Sequence, residues 1–141
     1  MKTPETKRIL IVDDDTTTAK SIKMYLDFVE LKGQNVETLA VPDYGSALEH
    51  INQARSDHLR QFDLIVGDLV TGPPMNLMDF IKVLGSLRIA IPIIATSGWE
   101  LKIKPDYYVP GGPKIIATYH KSVEDAEKLG TEVSSFLHSL R

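Results

Sequence analysis

The stretch Ile9-Leu10-Ile11-Val12-Asp13-Asp14-Asp15 decides how this chain is read. Four consecutive aliphatic residues predict a strand buried on both faces, as in a parallel sheet covered by helices. Three carboxylates follow where that strand should end. Crowded carboxylates repel one another when ionised, which costs stability. A hard divalent cation such as Mg²⁺ relieves that cost, because it prefers oxygen ligands. The cluster is therefore either a helix-capping feature or half of a phosphate-chemistry site.

Three more aliphatic runs lie further along: Leu64 to Val66, Ile93 to Ala95, and Ile115 to Ala117. A weaker run, Val36 to Val41, alternates apolar and polar residues and predicts a less completely buried strand. Helical spacing fills the gaps. Ala19, Ile22, Leu26 and Val29 share one face of a helix predicted from about Thr16 to Leu31, with Gly33 as its stop. Tyr44, Ala47, Leu48 and Ile51 predict a second helix, with Asp43 as its N-cap. Phe80, Val83, Leu84 and Leu87 predict a third. Val123, Ala126, Leu129, Val133, Phe136, Leu137 and Leu140 predict the last. Asn52 to Gln61 reads as a lengthened helix end or a polar insertion. Pro105, Pro110 and Pro113 break regular helix between Gly98 and Lys114, leaving at most a short helix over Trp99 to Lys104. Strands alternating with helices predict an α/β fold with a parallel sheet and right-handed crossovers. Ligands of such sheets bind beyond the carboxyl ends of the strands, at the topological switch point.

A length of 141 residues predicts a single domain, 1–141. With 43% hydrophobic and 25% charged residues, the composition is that of an ordinary globular protein. The net charge is -3 and no basic block appears, which argues against a nucleic-acid surface. The lack of cysteine excludes a disulfide framework, thiolate catalysis and a cysteine zinc site. Met1-Lys2-Thr3-Pro4-Glu5 has no signal-peptide apolar stretch, and no apolar run reaches membrane-spanning length. A soluble, cytoplasmic protein without a membrane partner is the expectation.

The chemistry concentrates where the strands end. The first is followed by Asp13-Asp14-Asp15, the third by Gly67-Asp68, the fourth by Thr96-Ser97-Gly98 and the fifth by Tyr119-His120-Lys121. Parallel topology would gather these carboxylates, hydroxyls and an ammonium on one edge of the sheet. A carboxylate can act as a nucleophile and form an aspartyl phosphate. Mg²⁺ held by neighbouring carboxylates would neutralise the transferring group, while a lysine and a hydroxyl would stabilise its other oxygens.

On these residues the chain resembles the receiver domains of two-component response regulators, from about Lys7 to Leu140. The matching elements are Ile11-Val12-Asp13-Asp14, Asp63-Leu64-Ile65-Val66-Gly67-Asp68, Pro92-Ile93-Ile94-Ala95-Thr96-Ser97-Gly98 and Lys121. The resemblance implies a flavodoxin-like, doubly wound, five-stranded parallel sheet in the order 2-1-3-4-5, with helices on both faces. It implies that Asp68 is the phosphoacceptor. Asp13 and Asp14 would be the acidic pair, with Asp14 binding Mg²⁺ directly and Asp13 mainly through water. The backbone carbonyl of Val70 would be a further ligand. Ser97 would be the switch hydroxyl, and Lys121 would pair with the acceptor and then with the phosphoryl group. The implied donor is a histidine kinase or phosphotransfer protein. Output would pass through a separate downstream protein, competition for phosphoryl groups, or self-association as a homodimer. A receiver catalyses its own phosphorylation and slow dephosphorylation and is not a conventional turnover enzyme.

The departures from that family are specific. Ser122 follows Lys121, where the family usually has a proline in a cis peptide. The aromatic switch position holds Thr118, with Tyr119 one residue later. Thr71-Gly72-Pro73-Pro74-Met75-Asn76 is longer than the usual turn, and prolines erode the fourth helix. Other readings stay open. Asp15 is a natural N-cap for the first helix, Asp68 could be a turn residue and Lys121 a solvated lysine. Thr96 competes with Ser97 for the hydroxyl role. Trp99, Tyr107 and Tyr108 could form a partner patch or a plug on the core. His50, His58, His120 and His138 are scattered. One rival function is a degenerate receiver that binds a partner without phosphorylation. Another is a haloacid-dehalogenase-like phosphatase built on Asp13-Asp14-Asp15-Thr16-Thr17, with Asp13 as nucleophile and Asp15 as acid/base. Motif order opposes the latter, because Asp68 precedes both Ser97 and Lys121.

Overall fold

The computed structural model describes residues 7–15, 19–20, 23–24, 36–57, 60–68, 75–97 and 110–120, with backbone alone for Ser97, Tyr119 and His120. Five strands, β1 (Lys7–Val12), β2 (Val36–Val41), β3 (Leu64–Asp68), β4 (Ile93–Ser97) and β5 (Ile115–His120), form one sheet. Every neighbouring pair is parallel, and the order is β2-β1-β3-β4-β5. This is the doubly wound, flavodoxin-like order, whose switch point lies between β1 and β3. Pairing Val12 with Gly67, and Asp68 with Thr96, sets the carboxyl ends of the three central strands side by side. The weaker run forms the edge strand β2, which is only partly buried.

Alternation along the strands gives the sheet two apolar faces. Leu10, Val12, Ile65, Ile93 and Ala95 face helices α1 (Tyr44–Ser56) and α2 (Leu77–Ser86). Those helices contribute Tyr44, Ala47 and Ile51, and Leu77, Phe80, Ile81 and Leu84. Ile9, Ile11, Leu64, Val66 and Ile94 form the second face, against Ala19 of the helical residues 19–20. Complete burial of each large aliphatic side chain favours folding by roughly 1.5–3 kcal/mol.

Local signals set the helix ends. Asp43 is extended, and its Oδ1 accepts from the Ser46 N–H at 2.7 Å, which makes it the N-cap of α1 as expected. The stretch from Asn52 is the lengthened end of that helix: α1 runs to Ser56, and Ala54 is buried. Asn76 and Asp79 form a capping box, each side chain accepting from the other's backbone N–H, which starts α2 at Leu77, three residues before Phe80. The helices predicted over Trp99 to Lys104 and over Val123 to Leu140 lie outside the described residues, as does Gly33. Among the described residues, no helix is long and apolar enough to cross a membrane.

The end of α2 carries a backbone conformation that its residue does not favour. Arg88 has φ 57°, its N–H donates to the Gly85 carbonyl at 3.1 Å, and the Ile89 N–H donates to the Leu84 carbonyl at 2.9 Å. This is a Schellman motif, whose left-handed position normally holds glycine because a Cβ is disfavoured there. Arg88→Gly is expected to stabilise the protein by about 0.5–1 kcal/mol, net of the greater freedom of glycine in the unfolded chain. Urea denaturation checks this; an unchanged or lower midpoint would contradict it.

The amino end of the sheet is stapled separately. The Arg8 N–H donates to Asp63 Oδ2 at 2.9 Å and the Asp63 N–H donates to the Arg8 carbonyl at 2.8 Å. The Arg8 guanidinium lies 4.3 Å over the Phe62 ring and donates to the Arg60 carbonyl. These contacts fix the entry of β3 beside β1 and leave the carboxyl ends for other work.

Candidate functional site

Asp13 is the first residue beyond β1. Its N–H donates to the Val41 carbonyl at 3.1 Å, and the residue is 2% exposed. Its Oδ1 accepts from the Asp15 N–H at 2.9 Å. This side-chain-to-backbone bond two residues on turns the chain. Asp14 and Asp15 are exposed. The Asp15 carbonyl accepts from the Ala19 N–H at 3.0 Å, a bond of helical spacing that leads into the helical residues 19–20. The three adjacent acids therefore have different places: Asp13 is buried, Asp14 is exposed at the carboxylate cluster, and Asp15 is exposed with its carbonyl bonded to Ala19.

Asp68 is the last residue of β3 and is 5% exposed. Asp13, Asp14 and Asp68 each bring a carboxylate oxygen to within 4.8 Å of the others. Two unit negative charges at that separation repel by about 3 kcal/mol at an effective dielectric constant of about 20. An all-carboxylate donor set suits a hard cation such as Mg²⁺ or Mn²⁺ and not a soft one. Two buried donors beside an exposed one leave an opening to water, which fits a cation that keeps part of its hydration shell. Thr96 pairs with Asp68 in the β3–β4 ladder and is buried, and Ser97 follows it as the last residue of β4. Val70 and Lys121 lie outside the described residues.

The strand-end reading passes over Tyr44. This first residue of α1 has no solvent exposure, and its hydroxyl donates to the Asp68 backbone carbonyl at 2.5 Å. Its ring packs on Phe80, with centroids 4.7 Å apart and planes tilted by 35°. Burial, then the negative charges of Asp68 and Asp13, pushes the Tyr44 phenol well above its ordinary value. The hydroxyl therefore keeps its proton and remains a donor. It lies against Gly67, where a Cβ would collide with the hydroxyl oxygen. Periodicity marks Tyr44 only as a core position. The available signal is Gly67 itself: glycine inside a buried strand often marks the close approach of another group.

Comparison with protein-family models gives no match, and comparison with curated protein sequences gives none. Solved structures do match. The Mn²⁺-bound form of the response regulator Rcp1 superposes with a TM-score of 0.71, covering 96% of each chain at 17% identity. The chain has the receiver-domain fold. The phosphorylated cyanobacterial phytochrome response regulator RcpA gives 0.68 over 97% of each chain at 18% identity. The receiver domain of the Francisella response regulator 1452 gives 0.64 at 21% identity, covering 92% of this chain and 97% of that one. The receiver fold thus accounts for nearly the full length, and its strand order is the one that the resemblance in the motifs implies.

Proposed function

We propose that this chain is a phosphoryl-accepting signalling receiver with Asp68 as the acceptor. The observation that supports this most directly is the meeting of Asp13, Asp14 and Asp68 at the carboxyl ends of β1 and β3 within the receiver fold. An Asp68 carboxylate oxygen attacks the phosphorus of a phosphohistidine on a histidine kinase or phosphotransfer protein. The new P–O bond forms as the P–N bond breaks, and the imidazole leaves with the electron pair of the broken bond. When bound, Mg²⁺ neutralises negative charge on the transferring oxygens. Asp13 and Asp14, with Asp68 and the Val70 carbonyl, would hold it. Lys121 and Ser97 would take the remaining phosphoryl oxygens. The Mn²⁺-bound and phosphorylated states of two structural neighbours support the same chemistry here. Signalling then passes to a downstream protein or through self-association as a homodimer, without substrate turnover.

The phosphatase alternative needs Asp15 beside Asp13 as acid/base. The converging carboxylates are instead Asp13, Asp14 and Asp68, which favours the receiver reading. Intact-mass measurement after incubation with Mg²⁺ and phosphoramidate or acetyl phosphate is the test. One phosphoryl adduct is expected in the wild type and in Asp15→Asn, and none in Asp68→Asn or with a chelator. No adduct from any donor would favour a degenerate receiver. Loss confined to Asp13→Asn, with rapid phosphatase turnover, would favour the rival enzyme.

A further inference from the structure

We propose that Tyr44 is a positioning residue for the acceptor: across Gly67, its hydroxyl holds the main-chain carbonyl of Asp68 and so sets where that carboxylate stands against Asp13 and Asp14. The inference rests on Asp68 being the phosphoacceptor. Asp68 lies one residue beyond the last β1–β3 pair, Val12 with Gly67. There the Tyr44 hydroxyl supplies a bond to its carbonyl at 2.5 Å. The carbonyl belongs to the peptide that leads out of the strand, so this bond fixes the plane from which the acceptor's backbone continues.

Tyr44 is itself well anchored. It follows the Asp43 N-cap, and its ring is held on Phe80 of α2. The hydroxyl does something the ring does not need. A Cβ at position 67 would stand 3.4 and 3.5 Å from Tyr44 Cζ and Cε1, which is ordinary contact, and only the hydroxyl oxygen would collide with it. A phenylalanine at position 44 would fill the same core space and would tolerate a side chain at position 67. Glycine in a strand interior weakens the strand. The chain nevertheless combines glycine at position 67 with a buried phenol at position 44, and both serve one hydrogen bond to the backbone of Asp68. Groups that orient a reacting or metal-binding residue from behind commonly change its affinity or activity by about 10–100-fold when removed.

The test compares wild type, Tyr44→Phe and Tyr44→Phe/Gly67→Ala at a temperature where near-UV circular dichroism shows all three folded. Two quantities are read: the rate of phosphoryl adduct formation at saturating phosphoramidate and Mg²⁺, and the Mg²⁺ dissociation constant by calorimetry without donor. Tyr44→Phe is expected to slow the adduct and weaken Mg²⁺ binding, each by about tenfold. The added methyl of the double variant meets only ring carbons at ordinary distances and is expected to recover neither the rate nor the affinity. A structural role alone would move the melting temperature and leave rate and affinity within twofold of wild type in both variants, which would overturn the inference. A wild type that forms no adduct would overturn the acceptor assignment and this inference with it. A normal wild type with an equally fast Tyr44→Phe would overturn this inference alone.

Discussion

Gly67→Ala is expected to lower the unfolding free energy by about 3 kcal/mol, a large effect for a single methyl group and near the top of the usual range for overpacking. The added Cβ would fall on the Tyr44 hydroxyl oxygen. That hydroxyl cannot swing away cheaply, because the residue is fully buried and its ring is held on Phe80. Relief of the clash also breaks the buried hydrogen bond to the Asp68 carbonyl, a loss of about 0.5–1.5 kcal/mol. Tyr44→Phe removes the colliding atom and leaves ring carbons at ordinary distances. Gly67→Ala should therefore be far milder in that background, with a coupling of about 2 kcal/mol in the double-mutant cycle, within the range for residues in contact. Urea denaturation of the four proteins measures it. Additive effects would mean that the two residues do not share this space.

Asp13→Asn is expected to change stability in opposite directions with and without metal. Without metal, the buried Asp13 carboxylate stands close to those of Asp14 and Asp68, so removing its charge should stabilise the fold by about 1–2 kcal/mol. Asparagine keeps an oxygen that can accept from the Asp15 N–H, so the turn after β1 survives. With Mg²⁺ the order reverses. A cation that binds only the folded state at a hundred times its dissociation constant adds about 2.7 kcal/mol, and Asp13→Asn should forfeit most of it. Unfolding curves with and without Mg²⁺ read both signs in one experiment. A variant less stable than wild type without metal, or one with an undiminished response to Mg²⁺, would contradict the assignment. A site that costs stability until its ligand arrives is common where function sets the residues.

The runs Ile9 to Val12, Leu64 to Val66 and Ile93 to Ala95 were legible because parallel strands covered on both faces read as nearly continuous aliphatic stretches. Their edges were less so. β1 begins at Lys7, before the aliphatic run, because Lys7 is largely buried and Arg8 lays its side chain over Phe62. Long polar side chains can bury their stems in this way, and apolar spacing does not register it. The meeting of Asp13, Asp14 and Asp68 was readable because parallel topology brings carboxyl ends together whatever their separation in the chain. The role of Tyr44 was not. Its partner carbonyl is 24 residues away, and helical spacing reports only that the ring faces inward. Gly67 carried the missing information, yet a glycine beside an acceptor candidate does not say which distant side chain needs the room.

The most direct test of Asp68 as the acceptor is chemical trapping at single-residue resolution. Wild-type protein is incubated with Mg²⁺ and phosphoramidate, reduced with borohydride to convert an acyl phosphate to the alcohol, digested, and sequenced by mass spectrometry. Reduction at Asp68 alone, dependent on Mg²⁺, is the expected result. Reduction at Asp13, or a phosphoryl adduct whose trapped residue is any other than Asp68, would contradict it.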